Sequence, residues 1–169
     1  GSVALISQSG NLALEFDVLF REAGIGFSRF ISLGNQADVS LVDAIESCVK
    51  DPGTRAIALY VEDFIDGREF IRVCQNAFDA DKPVILLATN GKGAALRSAG
   101  SHTGALASSS EIVSTACRYA GVVKVNTPQE VAIAAQALSK GFVGNLSQIG
   151  IVTDGGGHGT IACSLLEAV

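Results

Sequence analysis

Two short segments of this chain, Ile57-Ala-Leu-Tyr-Val61 and Val84-Ile-Leu-Leu-Ala88, are apolar from end to end. A strand that alternates apolar and polar residues can leave one face to water, but a strand apolar throughout needs cover on both faces. Such cover is what helices on either side of a parallel sheet provide, and the rest of the chain supplies matching parts. Strands are expected at Val3–Ser7, Phe27–Leu33, Ala56–Val61, Val84–Ala88 and Val122–Val125. Helix-period segments fill the intervals, at Asn11–Ala23, Val39–Lys50, Gly67–Ala80, Ser109–Tyr119 and Pro128–Lys140. Five βα units of this kind predict an α/β domain with a flavodoxin-like, doubly wound parallel sheet.

The helix starts carry chemical marks. Thr127-Pro-Gln-Glu130 places a capping hydroxyl, a proline at the first helical position and a glutamate at the third. Asp66-Gly-Arg-Glu69 and Ser108-Ser-Ser-Glu111 repeat the cap-to-glutamate spacing. After Lys140 comes a glycine-bearing connection, Gly141 to Gln148. A further strand, Ile149–Thr153, then leads into Asp154-Gly-Gly-Gly-His-Gly159 and a helix running to Val169. This predicts the first βα unit of a second, similar domain, cut short, with a division into residues 1–143 and 144–169.

The chain's 169 residues suffice for one full domain and part of another. With 48% hydrophobic and 17% charged residues it is not a disordered segment. A net charge of −5 argues against nucleic acid as a partner. No apolar run approaches the roughly 20 residues of a membrane span. Cys48, Cys74, Cys117 and Cys163 are scattered through helix-like stretches with no C-x-x-C pair, which reads as reduced core thiols in a cytoplasmic protein and not as a metal site. No signal-peptide pattern is present, and the absence of methionine marks the chain as an expected internal fragment.

In an open parallel sheet, ligands gather at the carboxyl ends of the strands, where strand order reverses. There the first strand gives Ser7-Gln-Ser-Gly-Asn11 at a helix N-terminus, whose backbone N–H groups and dipole suit a phosphate. The second gives Gly34-Asn-Gln-Ala-Asp38, and the third ends at Glu62. The fourth leads into a long segment, Thr89 to Gly104, containing His102. From Lys82 to Ser110 there is no acidic residue, and Lys92, Arg97, Gly91, Gly93, Gly100 and Gly104 give this segment a basic, glycine-rich character suited to an anion. Each feature alone reads as a cap, a surface charge or a solvated histidine. Their convergence on one sheet edge is what makes a site.

Four segments carry a resemblance: Val3-Ala-Leu-Ile-Ser-Gln-Ser-Gly10, Gly24-Ile-Gly-Phe-Ser28, Ile31-Ser-Leu-Gly-Asn-Gln-Ala-Asp-Val39 and Ser101-His-Thr-Gly-Ala-Leu-Ala107. Taken in this order, they resemble the ADP-forming acyl-CoA (acetyl-CoA) synthetases, themselves similar to the α subunit of succinyl-CoA synthetase. The resemblance runs nearly from Gly1 to Val169.

What it implies is an acid–thiol ligase that moves phosphate through a histidine. His102 matches the phosphorylated residue and Glu62 the glutamate that holds its imidazole. Ser9, Gly10 and Asn11 match one helix N-terminus that steadies the phosphohistidine. Gly155, Gly156 and Gly157 match the equivalent turn of the next domain. CoA and ATP or ADP with magnesium enter as substrates, with no prosthetic group. The resemblance further implies a CoA-binding domain, an ATP-grasp domain or subunit, a small carboxylic acid substrate, and association with other domains or chains, so that the fragment alone is inactive.

The chain departs from the family pattern at Asp154 and His158, where asparagine and proline are usual, and at Asn90. Asp154 sets a negative charge beside a proposed phosphate site, and His158 reads as a surface histidine. Three other readings compete. A CoA-sensing regulatory module of a synthetase-like protein lysine acetyltransferase typically has the histidine replaced, whereas Ser101-His-Thr-Gly104 is intact here. A non-catalytic partner-binding domain would make the motifs coincidental. A flavin domain lacks an obvious aromatic pair for the ring.

Overall fold

The computed structural model describes residues 1–88, 110–141 and 149–167. Its strands are β1 (Val3–Ser7), β2 (Phe27–Ser32), β3 (Ala56–Val61), β4 (Val84–Ala88) and β5 (Val123–Val125). The helices are α1 (Gly10–Glu22), α2 (Leu41–Lys50), α3 (Gly67–Asp79), α4 (Ser110–Ala120), α5 (Pro128–Leu138) and α6 (Gly156–Glu167). The strands form one parallel sheet in the order β2-β1-β3-β4-β5. This is the flavodoxin-like winding expected from the apolar runs, and its order reverses between β1 and β3.

Successive residues of each central strand feed opposite cores, as the two-residue period of a strand requires. Val3 and Leu5 of β1, with Ala56 and Ala58 of β3, pack with Phe16 and Phe20 of α1 and Val131 and Ala135 of α5. Ala4 and Ile6, with Ile57 and Leu59, pack on the other face with Ile45 of α2, Phe70 and Val73 of α3 and Val113 of α4. All residues of β1 and β4 are buried. Phe16 and Phe20 are fully buried, and Phe20 stacks on Phe27 with ring centroids 5.1 Å apart. Each such side chain contributes roughly 1.5–3 kcal/mol of burial.

The caps form as the sequence marks them. The side chains of Asp66 and Thr127 accept from Glu69 and Glu130 N–H groups at 3.1 and 3.2 Å. The Ser108 mark lies outside the described residues. Ser40, in place of the expected start at Val39, caps α2 through a reciprocal pair with Asp43, whose carboxyl those hydrogen bonds hold below its ordinary pKa. At the other end of α2 the Lys82 ammonium donates to the carbonyls of Cys48, Val49 and Asp51 at 3.2, 2.6 and 2.6 Å. It thereby satisfies acceptors that a helix C-terminus leaves open.

Two expectations are corrected. Ile149–Thr153 is not a strand: these residues have no regular secondary structure, and Ile149 and Val152 are exposed. A strand's hydrogen bonds go to a neighbour, and among the described residues none joins this segment to the sheet. Cys163 is likewise no core thiol. Cys48, Cys74 and Cys117 are buried, and burial pushes their thiols up, but Cys163 is exposed on α6, which buries none of its residues.

Candidate functional site at the carboxyl rim

The reversal of strand order opens the rim between the ends of β1 and β3, and three strand ends are tied together there. Ser7, fully buried, accepts from Leu33 N–H at 2.8 Å through its carbonyl, binding the end of β1 to the end of β2. Its hydroxyl accepts from Ser9 N–H at 3.1 Å and donates to Ser9 carbonyl at 2.8 Å. That turn delivers the chain into α1 with Ser9 as N-cap, its Oγ accepting from Leu12 N–H at 3.4 Å. Gly10 and Asn11 are exposed, and their N–H groups have no hydrogen-bond partner among the described residues. Nothing lies within 4 Å of where a side chain on Gly10 would start. The local packing therefore does not call for glycine, and the bare backbone leaves room for a ligand to approach the helix dipole.

Glu62 follows β3 directly and is half-buried. Its carboxylate lies against the phenol of Tyr60, two residues earlier. Burial pushes the Tyr60 hydroxyl well above the ordinary tyrosine range, and the charge of Glu62 and a hydrogen bond to it push it further. The phenol thus sits beside the carboxylate, which keeps acceptor positions for another donor.

The side chain of Gln8 joins the two strand ends. Its Oε1 accepts from the N–H groups of Glu62 and Asp63 at 2.5 and 3.0 Å, and its Nε2 donates to the Asp63 carbonyl at 2.8 Å. Gln36 Nε2 donates to the same carbonyl at 3.1 Å, while its Oε1 accepts from Leu41 N–H at 2.7 Å. The loop beyond is strained. Ile65 sits at a φ of 50°, a left-handed conformation that costs a β-branched residue about 1–2 kcal/mol. The Asp63 carboxylate accepts from Ile65 N–H at 3.2 Å, and Asp66 N–H donates to Phe64 carbonyl.

The sheet thus brings Ser9, Gly10, Asn11 and Glu62 to one edge. Gly155, Gly156 and Gly157 form the start of α6, where Gly155 N–H donates to Thr153 Oγ1 at 3.1 Å and Gly155 carbonyl accepts from Gly159 N–H at 3.2 Å. Gly156 and Gly157 are exposed with nothing within 4 Å of an added Cβ. Among the described residues no hydrogen bond joins this turn to the sheet. Asp154 is exposed. His102, with Asn90, Lys92 and Arg97, lies outside the described residues. Among the described residues no group of three or more His, Cys, Asp or Glu side chains could hold a metal ion, and no helix is long and apolar enough to cross a membrane. What the described rim offers is unpartnered backbone N–H groups beside the Glu62 carboxylate, a set suited to an anion and to orienting a proton.

Gln8, Gln36 and Tyr60 were not singled out from sequence. Gln8 and Gln36 lie in the rim turns, and Tyr60 stands in an apolar run two residues before Glu62. A polar tip in a strand apolar at every other position was the available signal for Tyr60.

A family model for the succinyl-CoA ligase like flavodoxin domain matches residues 1–138. The ADP-forming 4-hydroxybutyrate–CoA ligase of Nitrosopumilus maritimus is 37% identical over 168 residues, covering 97% of this chain and 24% of the relative. The α subunit of the ADP-forming acetate–CoA ligase II of Pyrococcus furiosus is 38% identical over 168 residues, covering 99% of this chain and 36% of the subunit. Among solved structures, the dinucleotide forming acetyl-coenzyme A synthetase 1 of Candidatus Korarchaeum cryptofilum, in complex with phosphate and ADP, matches with a TM-score of 0.91 at 31% identity, over 99% of this chain and 36% of that one. The chain spans well under half the length of each of these relatives.

Proposed function

The chain belongs to the family of succinyl-CoA-ligase-like flavodoxin domains, and on that premise we propose that it is the phosphate-relay part of an NDP-forming acyl-CoA synthetase. The overall reaction converts acyl-CoA, ADP and phosphate reversibly into a carboxylic acid, ATP and CoA. Phosphate attacks the thioester carbonyl and CoA leaves as the thiolate, giving an acyl phosphate. A ring nitrogen of His102 attacks phosphorus, the P–O bond to the acyl group breaks, and the carboxylate departs. A terminal phosphate oxygen of ADP then takes the phosphoryl group and frees the imidazole.

The residues of this chain have defined tasks in that scheme. A neutral imidazole is a competent nucleophile near neutral pH. The Glu62 carboxylate accepts a hydrogen bond from the N–H of the other ring nitrogen, which selects the tautomer and supports the positive charge that develops. The N–H groups at Gly10 and Asn11, with the Ser9 cap, and those at Gly156 and Gly157, on the turn that Gly155 closes against Thr153, receive the phosphoryl oxygens. Each helix dipole contributes roughly 0.3–1 kcal/mol when exposed and up to ~2 when partly buried. Direct N–H hydrogen bonds to phosphate oxygens supply much of the rest. CoA and magnesium-bound nucleotide are substrates held mainly by a CoA-binding domain and an ATP-grasp domain or subunit. A second flavodoxin-like domain begins near residue 144. By this reading residues 1–169 alone do not turn over.

The observation that carries the proposal is the hydrogen bond from Glu62 N–H to Gln8 Oε1 at 2.5 Å, which puts the carboxylate's strand end against the turn that starts α1. The test is on the full-length enzyme with labelled ATP and magnesium. A protein-bound label stable in alkali, lost in acid and absent from His102→Asn is expected. A folded, nucleotide-binding enzyme that takes up no such label would overturn the relay and favour a regulatory role.

A further inference from the structure

We propose that Gln8, backed by Gln36, is a positioning residue that sets the direction of the Glu62 carboxylate. The inference rests on the reading of Glu62 as the group that orients the histidine. Its basis is the way one amide holds both peptide planes next to a single Cα.

The N–H of Glu62 belongs to the peptide before that Cα, and the N–H of Asp63 belongs to the peptide after it. Both donate to Gln8 Oε1, at 2.5 and 3.0 Å. Turning either plane breaks one of these bonds, so φ and ψ of Glu62 are fixed together, and with them the direction of its Cα–Cβ bond. The Asp63 carbonyl is then taken twice, by Gln8 Nε2 at 2.8 Å and Gln36 Nε2 at 3.1 Å. Neither glutamine is loose. Gln8 N–H donates to Tyr60 carbonyl at 3.2 Å, continuing the β1–β3 ladder, and Gln36 N–H donates to Leu33 carbonyl at 3.3 Å.

A partly exposed strand end can satisfy its backbone groups with water. Here two side chains, from the turns after β1 and β2, converge on the segment that carries the carboxylate. The segment they hold runs straight into Ile65 at a φ of 50°. A conformation of that kind persists where the surroundings over-determine it. Tyr60, whose phenol lies beside the carboxylate, then flanks a side chain whose backbone Gln8 has already aimed.

The test is a double-mutant cycle on the full-length enzyme, reading the single-turnover rate of phosphohistidine formation from labelled ATP. Gln8→Ala alone is expected to slow this step by about 10–100-fold, the usual cost of small misplacements at a reacting centre, with the nucleotide KM unchanged. In a Glu62→Gln background the same substitution is expected to cost less than threefold, about a factor that independent sites would not produce. Gln36→Ala, which removes one of the two donors to Asp63 carbonyl, gives a smaller loss in the same direction. It serves as the readout should Gln8→Ala fold poorly by thermal melting. Additive losses in the cycle, or a normal rate in folded Gln8→Ala while Glu62→Gln is impaired, overturn the positioning role alone. A normal rate in Glu62→Gln overturns the role of Glu62 and this inference with it.

Discussion

The two rims of the sheet are built from similar polar residues and put them to opposite uses. At the amino rim, Lys82, Arg29 and Asp51 are matched within the chain. Lys82 closes the end of α2 through three carbonyls, and Arg29 Nε donates to Asp51 at 2.8 Å. Asp51 also accepts from Gly53 N–H at 3.1 Å and from Thr54 Oγ1 at 3.0 Å. At the carboxyl rim, the polar side chains hold backbone in place while the N–H groups at Gly10 and Asn11 are left without partners among the described residues. The chain also tolerates a left-handed isoleucine there. One rim spends its polar groups on stability; the other, by our proposal, keeps backbone N–H groups open for a phosphoryl group. Substitutions should therefore separate cleanly, costing rate at one rim and stability at the other.

The largest effect is expected at Glu62. Glu62→Gln keeps the size and the backbone bonds to Gln8 but removes the charge that we propose supports the imidazole. In the full-length enzyme, phosphoryl transfer should fall on the order of 100-fold or more, with the melting temperature within a degree or two of the parent, the range of a surface change of about 0.5 kcal/mol. A large loss of stability with an unchanged rate would reverse the assignment of the rims.

Lys82→Met is the converse. The apolar stem is retained, and three carbonyls of the α2 end lose a charged donor. Denaturant unfolding should show a loss of about 1.5–3 kcal/mol, the range for hydrogen bonds to charged groups, while single-turnover phosphoryl transfer stays near the parent value. A rate loss matching that of Glu62→Gln in a stably folded variant would show that the rims are coupled and break the comparison.

The same contrast between groups satisfied locally and groups satisfied elsewhere explains what was legible in the sequence. β1, β3 and β4 were read to the residue because burial on both faces writes an unbroken apolar run. α6 was read as a helix following its glycine turn because helical hydrogen bonds are internal, and it forms although it buries nothing. Ile149–Thr153 was misread as a strand for the complementary reason: a strand is completed by its neighbours, and an apolar run states only that it wants them. At the site, Ser9, Gly10, Asn11 and Glu62 followed from the rule that ligands gather at the carboxyl ends. Gln8 did not follow, because a side chain bonding to a backbone group 54 residues away leaves no periodic trace. Tyr60 was hidden in the apolar run that its ring helps to make. For His102 the motif is the reading, since the residue lies outside the described part.

The smallest effect expected is at Asp51, and it tests the amino rim by pH. The hydrogen bond from Arg29, then those from Gly53 N–H and Thr54, lower the Asp51 carboxyl from 3.8 to about 2. Because the folded-state value lies below the unfolded one, the unfolded chain takes up the proton first on acidification. The associated stability is therefore complete above the unfolded value and drains away as pH falls through about 2. Asp51→Asn removes this titration while keeping an acceptor for Arg29. The gap in stability between parent and Asp51→Asn should be constant at neutral pH, narrow below pH ~4 and close towards pH ~2. Chemical denaturation at a series of pH values measures it, at moderate ionic strength because the pair is near the surface and screened by salt. A gap that stays flat across that window would mean that Asp51 is held by its neutral hydrogen bonds and not by its charge. The amino rim would then be polar and well paired, but not electrostatically built, and the contrast with Glu62 would rest on geometry alone.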